Sequence, residues 1–259
     1  MELKWLGTAG FEIQTDGQSF LLDPFLSRKK TARPVQDLTP EDFKESRQIF
    51  ISHGHFDHIM DVPGICAISN CGILCSESVK KSLIWHHTNP EQIKTVQTDR
   101  ECMDFNSFKA QAFFSTHVQF DAKLVLNTVR RLNISLVKDI PRLKSFPCGQ
   151  VLSWRFFVEN KIIHFFGTAG STDLELERIK TEPPVDILLL PFQGHSKICD
   201  IGIKYVQHLQ PKIIVIHHHD NFYPPISQSM DVSPFTDRLK KTHPQIRVMI
   251  PQINKALVF

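Results

Sequence analysis

The stretch His53-Gly54-His55-Phe56-Asp57-His58 places three imidazoles and a carboxylate close together, directly after the largely apolar residues 48–52. The chain has only 13 histidines in 259 residues, so this density of metal-binding groups needs a chemical reason. Neutral imidazole and carboxylate are the usual ligands of zinc and of divalent manganese and iron. The stretch therefore predicts a metal site where a buried strand ends.

The spacing within the stretch favours two adjacent metals over one. His53 and His55 stand two positions apart, which points both side chains to one side of an extended backbone. Asp57 and His58 follow what we expect to be a sharp bend that Gly54 permits. The chain lacks the H-E-x-x-H pattern of zinc-protease helices. The alternative interpretation is a polar loop whose histidines are satisfied without metal.

Two further apolar runs lead into histidine. His117 follows residues 112–116, and residues 213–216 lead into His217-His218-His219-Asp220. A lone histidine in such a place is usually structural. Three strands that each end in histidine are instead typical of a site assembled along one edge of a sheet.

Two predicted hairpins must help to position these groups. Asp16-Gly17, a strong hairpin signal, separates residues 11–15 from 18–23, and Glu159-Asn160 separates 154–158 from 161–167. Two comparable hairpins indicate an internally duplicated, β-rich architecture.

Alternating strands and helices fill the rest of the chain. Further strands are predicted at 48–51, 110–114, 186–190, 212–216 and 247–250, and helices at 76–86, 201–209 and 233–241. Such alternation favours sheets covered by helices. No low-complexity linker divides the chain, so we expect a single domain over residues 1–259.

Composition restricts the partners and the compartment. The chain is 41% hydrophobic and 22% charged, with a net charge of only +3, which gives little reason to expect nucleic acid as a partner. No export signal and no membrane-length apolar run is visible, so a cytoplasmic location is expected. The six scattered cysteines are then expected to be reduced thiols rather than disulfides.

One segment, Lys123 to Lys144, combines apolar residues with six cations against a single acid, Asp139. It could be a lid that presents positive charge to an anionic substrate, small or lipid-like. The alternative is a solvated helix face or exposed loop.

Residues 53–58 resemble the H-x-H-x-D-H motif of the metallo-β-lactamase fold superfamily, and the later histidines follow in the order that this family uses. The likeness extends from residues 5–13 and 21–24 to 188–195 and 215–222. It implies an α/β fold, a four-layer αββα sandwich of two similar halves with a mono- or dinuclear metal site. The chain is similar to the branch containing ascorbate-6-phosphate lactonase and N-acylphosphatidylethanolamine-hydrolysing phospholipase D.

The resemblance also implies the ligands. The first metal would be held by His53, His55 and His117. The second would be held by Asp57, His58 and His218, with His217 as the alternative late ligand. The expected cofactor is one or two divalent ions, Zn²⁺ first, with Mn²⁺ and Fe²⁺ also suited to such ligands.

The chain departs from the family at one important position. Thr168 stands where the family normally carries a metal-bridging aspartate after the glycine that ends a strand. Asp173 could replace it through a loop detour, or could instead cap the helix that follows. Without a bridging carboxylate, the second metal would bind weakly or not at all.

These residues predict a metal-dependent hydrolase that uses a metal-activated hydroxide on a phosphoester, phosphodiester or lactone. Asp57 would orient the water or relay its proton, and His195 would donate to the oxyanion or the leaving group, unless it is an ordinary loop histidine. The alternative is a metal-binding protein of the same fold with little or no hydrolytic activity, because the bridging aspartate is missing.

Overall fold

A computed structural model describes residues 1–131 and 139–259. Its strands, in chain order, are β1 Glu2–Gly7, β2 Gly10–Thr15, β3 Gln18–Leu22, β4 Ser46–Phe50, β5 Gly72–Cys75, β6 Ile93–Thr95, β7 Cys102–Asp104, β8 Phe108–Ser115, β9 Val151–Val158, β10 Lys161–Phe166, β11 Ile187–Pro191, β12 Ile213–His217, β13 Arg247–Met249 and β14 Ala256–Val258. They form two seven-stranded sheets, ordered β14-β1-β2-β3-β4-β5-β6 and β13-β12-β11-β10-β9-β8-β7.

Helices surround these sheets. The α-helices in the described residues are α1 Phe56–Ile59, α2 Val62–Ser69, α3 Glu77–Trp85, α4 Ala122–Val129, α5 Ile140–Lys144, α6 Asp173–Lys180, α7 Ile198–Leu209 and α8 Ser233–Thr242. Short 3₁₀ helices span Pro40–Phe43 and Pro90–Gln92. Within the described part of the chain, every helix is too short or too polar to cross a bilayer.

The two sheets repeat one topology. In the first, β1, β2 and β3 are antiparallel and β3 to β6 are parallel. In the second, β8, β9 and β10 are antiparallel and β10 to β13 are parallel. Both predicted hairpins are confirmed, and in the first turn Asp16 and Gly17 have the two positive φ angles, 44° and 72°, that a tight hairpin needs. The expected two similar halves are therefore present.

Three apolar layers hold the sheets and helices together. Aromatic side chains fill the space between the sheets, where Phe156 of the second sheet lies 5.1 Å from Phe20 and 4.9 Å from Phe50 of the first, centroid to centroid. The outer face of the first sheet packs against α2 and α3. That of the second packs against α6, α7 and α8. The order of layers is αββα, as expected. That residues 1–259 form one domain stays a prediction.

Strand direction explains where the predicted histidines meet. β8 runs in the same direction as β10, β11 and β12, because two antiparallel steps separate it from β10. The ends of β8 and β12 therefore lie at one edge of the second sheet. β4 ends opposite them, since Ser52 bonds across the sandwich to the backbone of Leu152 at 2.7 Å.

The predicted strands and helices are confirmed with boundaries within a few residues. In the basic segment, the structure describes residues 123–131 and 139–144, which include α5 and all of α4 but its first residue. Lys138 lies outside the described residues, as does the side chain of Arg142.

A buried ion pair joins the loop after β3 to the loop after β12. The Arg28 guanidinium binds the Asp220 carboxylate, and both side chains are almost fully buried. Asp220 also accepts the Thr8 backbone N–H at 3.1 Å, and Arg28 donates to the Pro34 carbonyl at 2.9 Å. The pair therefore fixes the loop that carries the last histidines against the first sheet.

Replacing Arg28 by methionine is expected to lower the free energy of unfolding by about 3–5 kcal/mol, because Asp220 would keep a buried, uncompensated charge. Chemical denaturation measures this. The double variant R28M/D220N should lose much less than the sum of the two single variants. Additive losses would show that the two side chains do not stabilise each other.

Candidate metal centre

The predicted ligands meet in two adjacent groups, within each of which the ligand atoms lie no more than 4.8 Å apart. The first group contains His53, His55, His117 and Cys148. The second contains Asp57, His58 and His218. The ring centroids of His53 and His58 are 3.9 Å apart, so the two groups are direct neighbours.

The pleat of β12 separates His218 from His217. Val215 faces the core between the sheets, and His217, two residues on, continues on that side between Phe11 and Phe165. His218 has a left-handed φ of 52° and donates its backbone N–H to the Thr8 carbonyl at 2.8 Å, which turns its ring toward Asp57. His218, rather than His217, therefore joins the second group.

The rings of the first group present free nitrogens to one another. His53 Nδ1 lies 2.9 Å from the Ser52 hydroxyl, and His117 Nδ1 lies 2.7 Å from the Val118 carbonyl. In each ring the Nδ1–H donates to that oxygen, so the Nε2 keeps its lone pair for a metal. His53 Nε2 is only 3.1 Å from His55 Nδ1. Nitrogens at that separation can share one ion.

Asp23 belongs to this centre, although the sequence interpretation gave it no role. Its carboxylate lies 2.7 Å from His58 Nδ1, accepts the Ser52 N–H at 2.7 Å and binds the Ser52 hydroxyl. It thus orients His58 directly and His53 through Ser52. A carboxylate that directly follows β3, the parallel neighbour of β4, was the available signal, because both strands end at the same edge.

Burial sets the charge of the first group. Burial lowers the pKa of His53 far below its ordinary value and lowers that of His117 to about 4. The pKa of His55 is also lowered, chiefly by burial. These rings are therefore neutral at pH 7, as metal ligands must be.

The second group differs from the first because it contains an ionised carboxylate. Burial opposes ionisation of Asp57, but the neighbouring His58 and His218 outweigh it and hold the pKa of this carboxyl below its usual range. Burial likewise opposes protonation of His58, but Asp57 and Asp23 outweigh it and raise its pKa. Two buried carboxylates beside these rings thus attract a cation, and the donor set suits a divalent metal.

Neither interpretation of Asp173 matches the structure. The Thr172 side chain caps α6 by accepting the Glu175 backbone N–H, and the Glu175 side chain accepts the Thr172 backbone N–H. Asp173 follows in the first turn of the helix. Its carboxylate is 73% exposed and contacts Lys204 at 3.0 Å and His208 at 3.3 Å, outside both ligand groups. Thr168 lines the site instead, and its hydroxyl accepts the Val118 N–H at 3.2 Å.

His195 sits in the loop before α7, where its Nδ1 accepts the Lys197 backbone N–H at 3.0 Å. From this loop, Gln193 and Gly194 line the site cavity, whereas His195 is not among the described lining residues. A role for His195 as a proton donor therefore stays a prediction.

A cavity of about 510 Å³ opens above the two ligand groups. Its walls are mainly apolar and include Phe120, Leu124, Val125, Val129, Phe146 and Phe222. From the described part of the basic segment, Lys144 is the cation that reaches the wall, whereas α4 contributes apolar side chains. The described part of the segment thus offers the site an apolar surface more than a positively charged one.

Gly54 serves a purpose other than the expected bend, since its φ is not in the left-handed region that favours glycine. A Cβ at this position would come within 2.2 Å of the Pro147 carbonyl oxygen. Glycine is needed because the loop of residues 147–149 crosses the motif here, and the Cys148 carbonyl accepts the Gly54 N–H at 2.8 Å.

This crossing brings the half-buried Cys148 to the first group. The sequence indicated only a scattered reduced thiol. Burial raises the pKa of the Cys148 thiol to about 11 when no metal is bound.

Known proteins share this sequence pattern and fold. A metal-dependent hydrolase of Lysinibacillus sphaericus, assigned to the group UPF0173, is 27% identical over 252 residues, covering 95% of this chain and 96% of its own. The solved structure of Igni18, a metallo hydrolase from Ignicoccus hospitalis, has a TM-score of 0.71 at 16% identity, covering 100% and 97% of the two chains. Isothiocyanate hydrolase from Delia radicum gut bacteria has a TM-score of 0.68 at 14% identity, covering 100% and 99%.

A sequence profile described as a beta-lactamase superfamily domain matches residues 2–218, which include β1 to β12 and the predicted ligands. The chain therefore belongs to the beta-lactamase superfamily.

Proposed function

We propose that this protein is a metal-dependent hydrolase whose metal centre is formed by the two ligand groups. The observation that carries the proposal is the convergence of six predicted ligands at the floor of one cavity. The relative and the structural neighbours described above bear the names of hydrolases. They favour hydrolysis over a protein that only binds metal.

A divalent ion in this centre would supply Lewis-acid chemistry and a water of lowered pKa. The protein's own groups would do the rest. Asp57 Oδ2 lies 3.4 Å from His218 Nε2 and 3.7 Å from His58 Nε2, and it lines the cavity floor. From there it can orient the attacking water and accept its proton. The apolar walls exclude competing solvent and strengthen these interactions.

The substrate that we propose is a phosphoester, phosphodiester or lactone that carries an apolar, lipid-like group. The apolar walls would bind that group, and Lys144 at the wall could pair with a phosphate or carboxylate. Zn²⁺ is the metal that we propose, because imidazole and carboxylate donors suit it. A cytoplasmic location stays a prediction.

The proposal is tested by His55→Ala. Hydrolysis of model phosphodiesters and lactones by the Zn²⁺-loaded protein is expected to fall more than about 100-fold, the upper range for loss of a group that only supports a ligand. His87→Asn is the control, because it removes an exposed imidazole elsewhere. Full hydrolysis by the His55 variant would contradict the proposal, and metal binding without hydrolysis in the wild type would favour the binding-only alternative.

Asp23→Asn is expected to weaken metal binding about 10–100-fold, because the amide no longer fixes His58 with its Nε2 toward the metal. Asp61→Asn is the matched control. Asp61 is also a buried carboxylate that accepts backbone N–H groups, from Leu26 and Ser27, but it orients no predicted ligand. Chelator competition measures the affinity, and equal losses in the two variants would mean that Asp23 has only a structural role.

Substrates with longer apolar chains are expected to react faster until the cavity is full. Each added methylene should raise kcat/KM about fourfold, because burying one methylene contributes about 0.8 kcal/mol. Leu124→Asp should abolish this gain. Leu126→Asp, on the same helix but 50% exposed and not among the described lining residues, should keep it. A flat chain-length profile in the wild type would exclude the apolar walls from substrate binding.

A further inference from the structure

We propose that Cys148 is the fourth ligand of the first metal, so that this site is closed and the open coordination position belongs to the second group. The inference rests on the proposed metal centre and goes beyond its predicted ligands. In a closed site, the thiolate takes the position that a water would otherwise occupy.

Distances support four ligands rather than three. The Cys148 sulfur and the three ring nitrogens of the first group lie within 4.8 Å of one another. A tetrahedral zinc ion with bonds of about 2.0–2.3 Å holds its ligand atoms about 3.3–3.6 Å apart. His53 Nε2 and His55 Nδ1, at 3.1 Å, are already close to this separation. Because no pair of these atoms is more than 4.8 Å apart, no pair needs to approach by more than about 1.5 Å to reach the zinc geometry.

Backbone contacts fix Cys148 beside the motif. Its carbonyl accepts the Gly54 N–H at 2.8 Å, between His53 and His55. Just after it, the Gln150 N–H donates to the Ser78 hydroxyl at 3.1 Å, and the Leu152 N–H donates to the Ser52 carbonyl at 2.7 Å. The loop is therefore held to the same segment that supplies two ligands, and the lack of a side chain at Gly54 makes this approach possible.

The chemistry of the two groups then differs. Three neutral imidazoles and one thiolate complete a tetrahedral zinc site, as structural zinc sites do. As the sulfur–metal bond forms, the thiol proton passes to solvent. The second group offers two imidazoles and one carboxylate, the three-ligand pattern of zinc sites that keep a position for water. Asp57 in that group lines the substrate cavity.

Cobalt substitution separates ligation from activity. Co²⁺-loaded wild-type protein is expected to show visible ligand-field bands from bound metal and a near-ultraviolet thiolate-to-cobalt charge-transfer band. Cys148→Ser should lose the charge-transfer band and keep ligand-field bands, which also shows that the variant folds. Cys199→Ser is the matched control, since Cys199 is half-buried but lies by the Asp231 carbonyl, away from the site. It should keep both sets of bands.

X-ray absorption of the Zn²⁺-loaded protein gives an independent check, with a sulfur neighbour at about 2.3 Å that is lost in Cys148→Ser. Ligand-field bands without a charge-transfer band in the wild type, or a charge-transfer band that survives in Cys148→Ser, would overturn the assignment of Cys148 alone. The absence of all cobalt bands would overturn the metal centre itself, and this inference with it.

Discussion

Two buried carboxylates, Asp23 and Asp57, need a positive charge beside them, and much of the site follows from that requirement. Both lie among histidine rings, and burial keeps His53 and His117 neutral. An unbalanced buried charge is costly, whereas a divalent ion shared among carboxylates and imidazoles balances it. The folded chain thus provides oriented ligands, among which His53 and His117 are neutral and Asp57 is ionised, and a bound cation would complete the arrangement.

The duplicated sandwich supplies the positions. His117 after β8 and His218 after β12 lie at one edge of the second sheet, and His53 after β4 lies opposite them at the end of the first. The period-two pleat then selects among neighbours, since His217 continues into the core while His218 turns out of it. Apolar residues of α4 build the wall above these ligands. The strand directions and the pleat therefore position both the predicted metal ligands and the cavity beside them.

The sequence predicted the sheets, the hairpins and six converging groups, because apolar periodicity and dense histidines are local signals. It missed contacts made by distant loops. Cys148 reaches the site because the loop of residues 147–149 crosses the motif, a contact that sequence spacing does not show. Gly54 is needed because it leaves space for that loop, and not because the chain bends there. Spacing alone could not show whether Asp173 is a metal ligand. The structure pairs it with Lys204 and His208 on the surface.

The most direct measurement is an anomalous difference map at the zinc absorption edge from crystals of Zn²⁺-loaded protein. A peak is expected about 2.0–2.1 Å from ring nitrogens of His53, His55 and His117 and about 2.3 Å from the Cys148 sulfur. A second, weaker peak is expected beside Asp57 and His218. Zinc found only elsewhere, or no peak among these ligands at saturating Zn²⁺, would contradict the metal centre on which the proposed hydrolysis depends.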